Sequence, residues 1–492
     1  MSLQPFLNDC MKKTLFHTAL SLMLLSSTSF AQNTETKPKS NPSQTDSIDD
    51  EAPLKLENKE GVTVYSLSKA INQALSISPS MDSARYDKEI AEGQYSEASN
   101  ARFLPKLELN LVGGLVPDVP PGSGPENNFP TVDTNISDLG PFSQIRLEGF
   151  QPIYSFGKIR NLRRAALQGV EAKDVGVLKA RNELVQQVKK AYIGLTSLYS
   201  IREFLTELQT QAGKARSNID RLISKKGSNV TEIDLMRVDL FQAETDRRMI
   251  DVNNNIEFLI STLKVLMGLP RDAKIDIVDQ RLVMDKTMIG PIENYIQIAK
   301  DKRPEISQLQ NMVDAREYAM KSIRAGYLPT LGLAGFYRFG WAPDRPNIQN
   351  PFLQDDFNMN SGGGFLVLNQ NLSFHMTNSK YRQAKAQYDK AIADQQRALQ
   401  GIELEIRKAH TTAVSKQQSV DAAKRGFKTG RSWVLATTLN FGMGVSPPKD
   451  LLEAFVGYST VKFNYIQTMN DYFMALADLS NAVGQEVTSL QY

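Results

Sequence analysis

Two kinds of hydrophobic period alternate along this chain of 492 residues. Over about 106–116, Leu107, Leu109 and Leu111 alternate with Glu108 and Asn110; over about 142–154, Ile145 and Leu147 alternate with Arg146 and Glu148. A period of two puts apolar side chains on one face of a strand and polar ones on the other. The event recurs at about 330–341, where Leu331, Leu333, Tyr337, Phe339 and Trp341 share a face, and at about 362–374, the returning strand. Long polar loops, 117–141 and 342–361, join the strands of each pair. A tilted strand crosses a bilayer in about ten residues, and aromatics near a strand end suit its interface. Tyr337, Phe339 and Trp341 are the candidates for that band. The alternation alone fits a soluble hairpin equally well.

Elsewhere the spacing is helical. Met249, Val252, Ile256, Leu259, Leu263 and Leu266 step by threes and fours, as do Tyr465, Met469, Tyr472, Leu476, Leu479 and Val483. That is the seam of a coiled coil. The proline-free runs 153–269 and 352–446 hold rods predicted at Gly157–Lys226 and Thr377–Met443. Seventy residues at 1.5 Å each make a rod of about 100 Å. A short helix is predicted at about 66–77, and Pro79 opens another to about Phe103. That second helix and the one at 231–267 together nearly match the first rod in length, so they can lie end to end beside it. The chain then turns near Gly227, and in the second copy at Gly442–Gly444, far from the strands.

These elements occur twice. Ser78-Pro79 is answered by Arg303-Pro304, Phe103-Leu104-Pro105 by Tyr327-Leu328-Pro329, and Leu266-Met267-Gly268 by Ala482-Val483-Gly484. The spacing drifts only from 225 to 216 residues, the mark of a duplicated unit. The predicted organisation is a signal peptide at 1–31, a leader at 32–60, a first repeat at 61–268, a connector at 269–290, a second repeat at 291–485 and a tail at 486–492.

Composition narrows the class. Hydrophobic residues make up 41% and charged residues 23%, a globular balance. The net charge of +3 gives no case for nucleic acid. Met11-Lys12-Lys13, the apolar stretch from Leu15 to Leu25 and Ser29-Phe30-Ala31 read as an export signal, with Met11 as the expected start. The single cysteine, Cys10, precedes it. An exported chain without an apolar helix of spanning length is soluble or crosses the outer membrane as strands.

The repeated prolines at 79 and 304, the Leu-Pro pairs at 104–105 and 328–329, and the stretches Gly444–Ala454 and Ala475–Gly484 together resemble the TolC-type outer membrane efflux protein family. The resemblance covers about 61–488. It implies a mainly α fold with membrane β: long coiled-coil helices plus strand pairs, a homotrimer closing a twelve-stranded barrel on a helical periplasmic barrel. Independently, four strands cannot close a barrel, and an open edge in lipid strands unpaired backbone groups, so partners are required. The implied function is passive export across the outer membrane, alongside a periplasmic adaptor and an inner membrane transporter.

In that family, acidic residues six and nine after the turn glycine ring the periplasmic entrance. Counted from Gly444 these are Asp450 and Glu453; Asp234, seven after Gly227, is one residue out of step. Asp450 also suits an ordinary helix start after Pro447-Pro448. The turn residues Gly227, Asn229, Thr231, Gly442, Gly444, Ser446 and Pro447 are candidates for adaptor docking, and equally for a plain hairpin turn. No phosphate loop, zinc helix or nucleophile elbow occurs, and no catalytic residue, cofactor or metal is expected. The rival reading is a periplasmic coiled-coil scaffold or adhesin without a pore.

Overall fold

A computed structural model describes residues 61–101, 104–117, 139–224, 230–284, 288–345 and 356–487. The predicted signal, the leader, Phe103, and the turn residues Gly227 and Asn229 lie outside the described residues.

Strand β1 (Thr63–Tyr65) precedes helices α1 (Leu67–Ile77) and α2 (Pro79–Asn100). Strands β2 (Lys106–Pro117) and β3 (Leu139–Tyr154) follow, then the long α3 (Lys158–Ile223) and α4 (Glu232–Leu266). A short strand, β4 (Ile275–Ile277), pairs in parallel with β1. The second copy supplies α5 (Ile292–Lys302), α6 (Pro304–Arg324), β5 (Thr330–Trp341), β6 (Met359–Asn369), α7 (Phe374–Gly442) and α8 (Pro448–Val483). Pro79 and Pro304 start α2 and α6 where their missing N–H is no loss. The 66 residues of α3 and 69 of α7 give rods of about 100 Å at 1.5 Å per residue.

The returning strand differs from its expected span of 362–374. It begins at Met359, stops at Asn369, and α7 starts at Phe374. Asn371 Oδ1 accepts from the Ser373 N–H at 2.8 Å, and Ser373 O then accepts from Thr377 N–H, so the chain is already turning into a helix. Gly362-Gly363-Gly364 lies within the strand. A Cβ at Gly363 would sit 3.1 Å from the Phe336 ring, so the aromatic covers the missing side chain. Strand β3 likewise starts three residues earlier than the expected 142, at Leu139, pairing with Pro117.

The four long strands form one antiparallel sheet ordered β2-β3-β5-β6. The helices attached to them keep that order: α2 packs on α3, α3 on α6, and α6 on α7. Beyond the sheet, α4 packs on α3, α3 on α8, and α8 on α7. The helices meet end to end as their lengths require. Gly268, at φ +65°, sits against Ile77, where a Cβ would lie 3.0 Å from its side chain. Gly484, at φ +77°, abuts the Arg303 backbone at 3.1 Å. Both glycines take the left-handed conformation that ends a helix, and both leave room for the next one to start.

The core lies at this junction. Tyr192, Ile193 and Leu195 of α3 are buried with Leu263 of α4, Ile277 of β4, and Tyr472, Phe473, Leu476 and Leu479 of α8. Tyr192 Oη donates to Asp279 Oδ2 at 2.7 Å, and both residues are buried. Replacing Tyr192 by Phe leaves that carboxylate without its donor. The expected loss is about 1–3 kcal/mol, the usual desolvation penalty, and a lowered melting temperature of the purified protein measures it.

Candidate functional site

The sheet has two chemically opposite faces. In register across it lie Leu109, Leu147, Tyr337 and Gly362, and next to them Leu111, Ile145, Phe339 and Asn360. Leu107, Leu115, Leu333, Leu366, Leu368 and Trp341 continue this face, and all are exposed. None of its described strand residues is charged. An exposed apolar face of this extent marks a surface meant for a membrane or a partner. Twelve residues of β5, at 3.3 Å each and tilted near 45°, span about 28 Å, close to a bilayer's hydrocarbon thickness.

Tyr337, Phe339 and Trp341 are exposed along the outer half of β5, away from the helices. A second aromatic group lies at the strand–helix junction. Tyr154 packs edge-on against Phe156 at 4.7 Å, and Tyr327 stacks on Phe374 at 6.4 Å. Sequence reasoning missed this group because Phe374 was taken into the returning strand.

The opposite face carries the charges. Asn110, Arg146, Arg338 and Ser361 form one row, and Glu108, Glu148, Phe336 and Gly363 the next. Arg338 Nη2 lies 3.6 Å from Glu148 Oε1.

At the other end, Pro448, Leu451 and Phe455 of α8 share a small cavity with Ile219 of α3 and Val238 of α4. The starts of α4 and α8 therefore come together at the end of α3. Asp234 and Asp450 each occupy the third helical position, after Thr231 and Pro447 respectively. Their environments differ sharply. Asp234 is buried, accepts from the Thr231 N–H at 3.1 Å and Oγ1 at 3.0 Å, and pairs with Arg237 at 3.0 Å. Pro447 offers neither an N–H nor a hydroxyl, so Asp450 has no such box and stays exposed. Where α4 places Arg237 three residues on, α8 places Glu453, also exposed. The first copy's pair is thus neutral and the second copy's doubly negative. Lys449 is exposed beside Asp450.

Of the turn residues, Thr231 caps α4 and Gly444 takes φ +76°. The Val445 N–H then donates to Asn440 O at 2.9 Å. Gly442 is the last residue of α7 itself and takes no positive φ. Leu439, Met443 and Val445 are all exposed around the turn. Sequence reasoning took the tip surface here as Gly442 to Pro447 and so left out Leu439.

About three turns into α4, Glu244 accepts from Arg247 and Arg248, which holds its carboxyl down at about 2. A depressed carboxylate adds stability above its ordinary value, and that is lost as pH falls towards 2. Glu244→Gln therefore lowers the melting temperature slightly at neutral pH and not at about pH 2. The effect is small because the side chain is half exposed. His410 is spoken for structurally: its Nε2 lies 2.9 Å from Gly290 O, and its ring packs near Tyr295. Among the described residues no group of three His, Cys, Asp or Glu side chains could hold a metal, and no helix is long and apolar enough to cross a membrane.

A sheet with one apolar and one charged face, carried on helices of this length, fits the class of outer membrane channel subunits reaching into the periplasm. Residues 295–485 match the outer membrane efflux protein family. The alkaline protease secretion protein AprF of Pseudomonas aeruginosa is 22% identical over 444 residues, covering 86% of this chain and 85% of AprF. The Campylobacter jejuni CmeC outer membrane channel superposes with TM-score 0.69 at 20% identity, covering 92% of this chain and 94% of that one. The open state of the Neisseria gonorrhoeae MtrE outer membrane channel gives 0.69 at 17%, covering 90% and 98%. Over residues 295–485 the chain is thus similar to the outer membrane efflux protein family, and along most of its length it shares the fold of these channels.

Proposed function

We propose that three copies of this chain close one passive conduit, which an adaptor and an inner membrane transporter load from the periplasmic end. One observation carries the reading. Strand order and helix order leave the same two edges free, β2 with α2 and β6 with α7. A sheet in lipid cannot keep free edges, because each unpaired backbone group costs several kcal/mol. Joining β6 and α7 of one copy to β2 and α2 of the next satisfies strands and helices together. Tyr86 and Ile90 on α2 are exposed, as an unfilled helix interface requires. Three copies of four strands give twelve, and no catalytic step is needed for transport.

The test is extraction from membranes followed by light scattering. A detergent-requiring trimer is the expected result. A monomer leaving with the soluble periplasm would establish the scaffold or adhesin instead.

Asp450 and Glu453 are the proposed periplasmic gate. Three copies bring six carboxylates to the starts of α8, with the exposed Lys449 next to Asp450 in sequence. Asp234 is a weaker candidate, since Thr231 and Arg237 already engage it. Asp450→Asn with Glu453→Gln is expected to lower the cation preference of single channels in planar bilayers. Unchanged preference would remove both residues from the gate.

The docking surface proposed for an adaptor is the turn itself, with Gly444, Ser446 and Pro447 displaying Met443 and Val445, and Thr231 and Gly442 beside them. The likeness to AprF, a secretion protein by name, supports protein cargo. The folds shared with CmeC and MtrE suit small-molecule efflux equally, because a wet tunnel leaves selection to the transporter.

A further inference from the structure

The charged face of the sheet holds a feature that stability does not explain. Arg146 and Arg338 stand directly opposite each other on β3 and β5. Like charges so placed destabilise a sheet. A carboxylate between them would relieve this, but their row continues only to Asn110 and Ser361. Neither of these hydrogen-bonds to the arginines among the described residues. Arg338 has Glu148 at 3.6 Å, and its guanidinium carbon stands 5.1 Å from the Phe336 ring centre. Arg146 has no ion pair or hydrogen bond among the described residues. The Nε of both arginines is buried without an acceptor.

The charges are also sorted along the strands. Glu108 and Glu148 face each other one row nearer the helices, and Lys106 lies one row further still. The arginine row is therefore the charged strand row furthest from the helices. The five ionisable strand residues on this face, Lys106, Glu108, Arg146, Glu148 and Arg338, sum to +1.

We infer that Arg146 and Arg338 form a second selective ring, inside the barrel wall, that takes phosphate or carboxylate groups of solutes in transit. The inference rests on the trimeric channel reading, under which two arginines per copy make a ring of six. Guanidinium forks with unmet N–H groups suit oxyanions, which they bind in two-pronged fashion. Lining a confined passage with one sign of charge concentrates the opposite ion about tenfold or more. The ring is separate from the acidic tip, which lies a rod's length away.

The test is block of single-channel current by inorganic tripolyphosphate added at the loop side of the trimer in planar bilayers. Wild-type current is expected to be blocked, and Arg146→Gln with Arg338→Gln to weaken that block about tenfold or more. Arg146→Gln alone is expected to give an intermediate loss. Arg146→Lys with Arg338→Lys keeps the charge and is expected to retain block. Glu108→Gln with Glu148→Gln is expected to leave it equal or stronger. Should the double Gln variant fail to insert, the single Gln variant decides against the double Lys variant. Equal block in the Gln and wild-type channels overturns the inference while the channel stands. A wild-type protein that forms no trimer or no conductance overturns the reading beneath it instead. A purely structural role is read separately: Arg146→Gln would then lower thermal stability, whereas relief of repulsion leaves it unchanged or higher.

Discussion

Leu147→Arg is expected to abolish insertion while Asn110→Arg leaves it intact. Leu147 sits midway along β3, on the uncharged face, between Leu109 and Tyr337. A lipid-facing arginine near the bilayer midplane costs about 2–4 kcal/mol in a barrel. In a trimer that penalty is incurred in every copy, so it totals about 6–12 kcal/mol, comparable to the whole stability of a typical domain. Asn110 lies one strand away on the opposite face, in the row of Arg146 and Arg338. An arginine there meets water, and adds only repulsion with its neighbours. The measurement is the fraction of protein in the outer membrane and its trimer band after mild extraction. Loss in both variants, or in neither, would refute the assignment of faces.

Arg303→Ala is expected to destabilise the junction between the repeats by about 3 kcal/mol, at the low end for breaking a buried pair. Arg303 is buried, and it joins three elements at once. Its Nη1 donates to Ala482 O at 3.0 Å, its Nη2 to Glu405 at 2.7 Å, and its Nε to Glu305 at 3.1 Å. Those contacts tie the end of α8 to α7 and to the start of α6. Removing the side chain strands the Ala482 carbonyl and leaves two carboxylates without their cation. Glu405 is half exposed and regains water, which keeps the penalty from being larger. Arg303→Lys is expected to recover part of it, since an ammonium cannot reach three acceptors in a fixed fork. Thermal unfolding of the trimer reads both variants. The matching position of the first copy is Ser78, so the same substitution has no counterpart there.

Much of the fold was legible because two strong signals do not depend on packing. Pro79 and Pro304 mark helix starts whatever surrounds them, and the alternation at Leu107–Leu111 and Leu331–Trp341 names the strand faces. The end of β6 was not legible. Leu372 and Phe374 carry on an apolar pattern past the point where Asn371 turns the backbone, and a local hydrogen bond leaves no trace in periodicity. At the tip, counting from the turn glycines put Asp234 and Asp450 out of step. The helix starts show them at the same position with opposite fates, set by whether Thr231 or Pro447 precedes them.

What the order of residues determined by itself is the set of parts: two copies, each with a pair of two-faced strands and rods of about 100 Å. Local spacing suffices for that, since the periods of 2 and 3.6 are properties of the backbone. What only the tertiary structure decided is adjacency. That α3 lies between α2 and α6, that Arg146 faces Arg338, and that Arg303 seats the end of α8 all join residues far apart in the chain. Such contacts depend on which surfaces fit once the rods are laid side by side, and no local pattern encodes that choice.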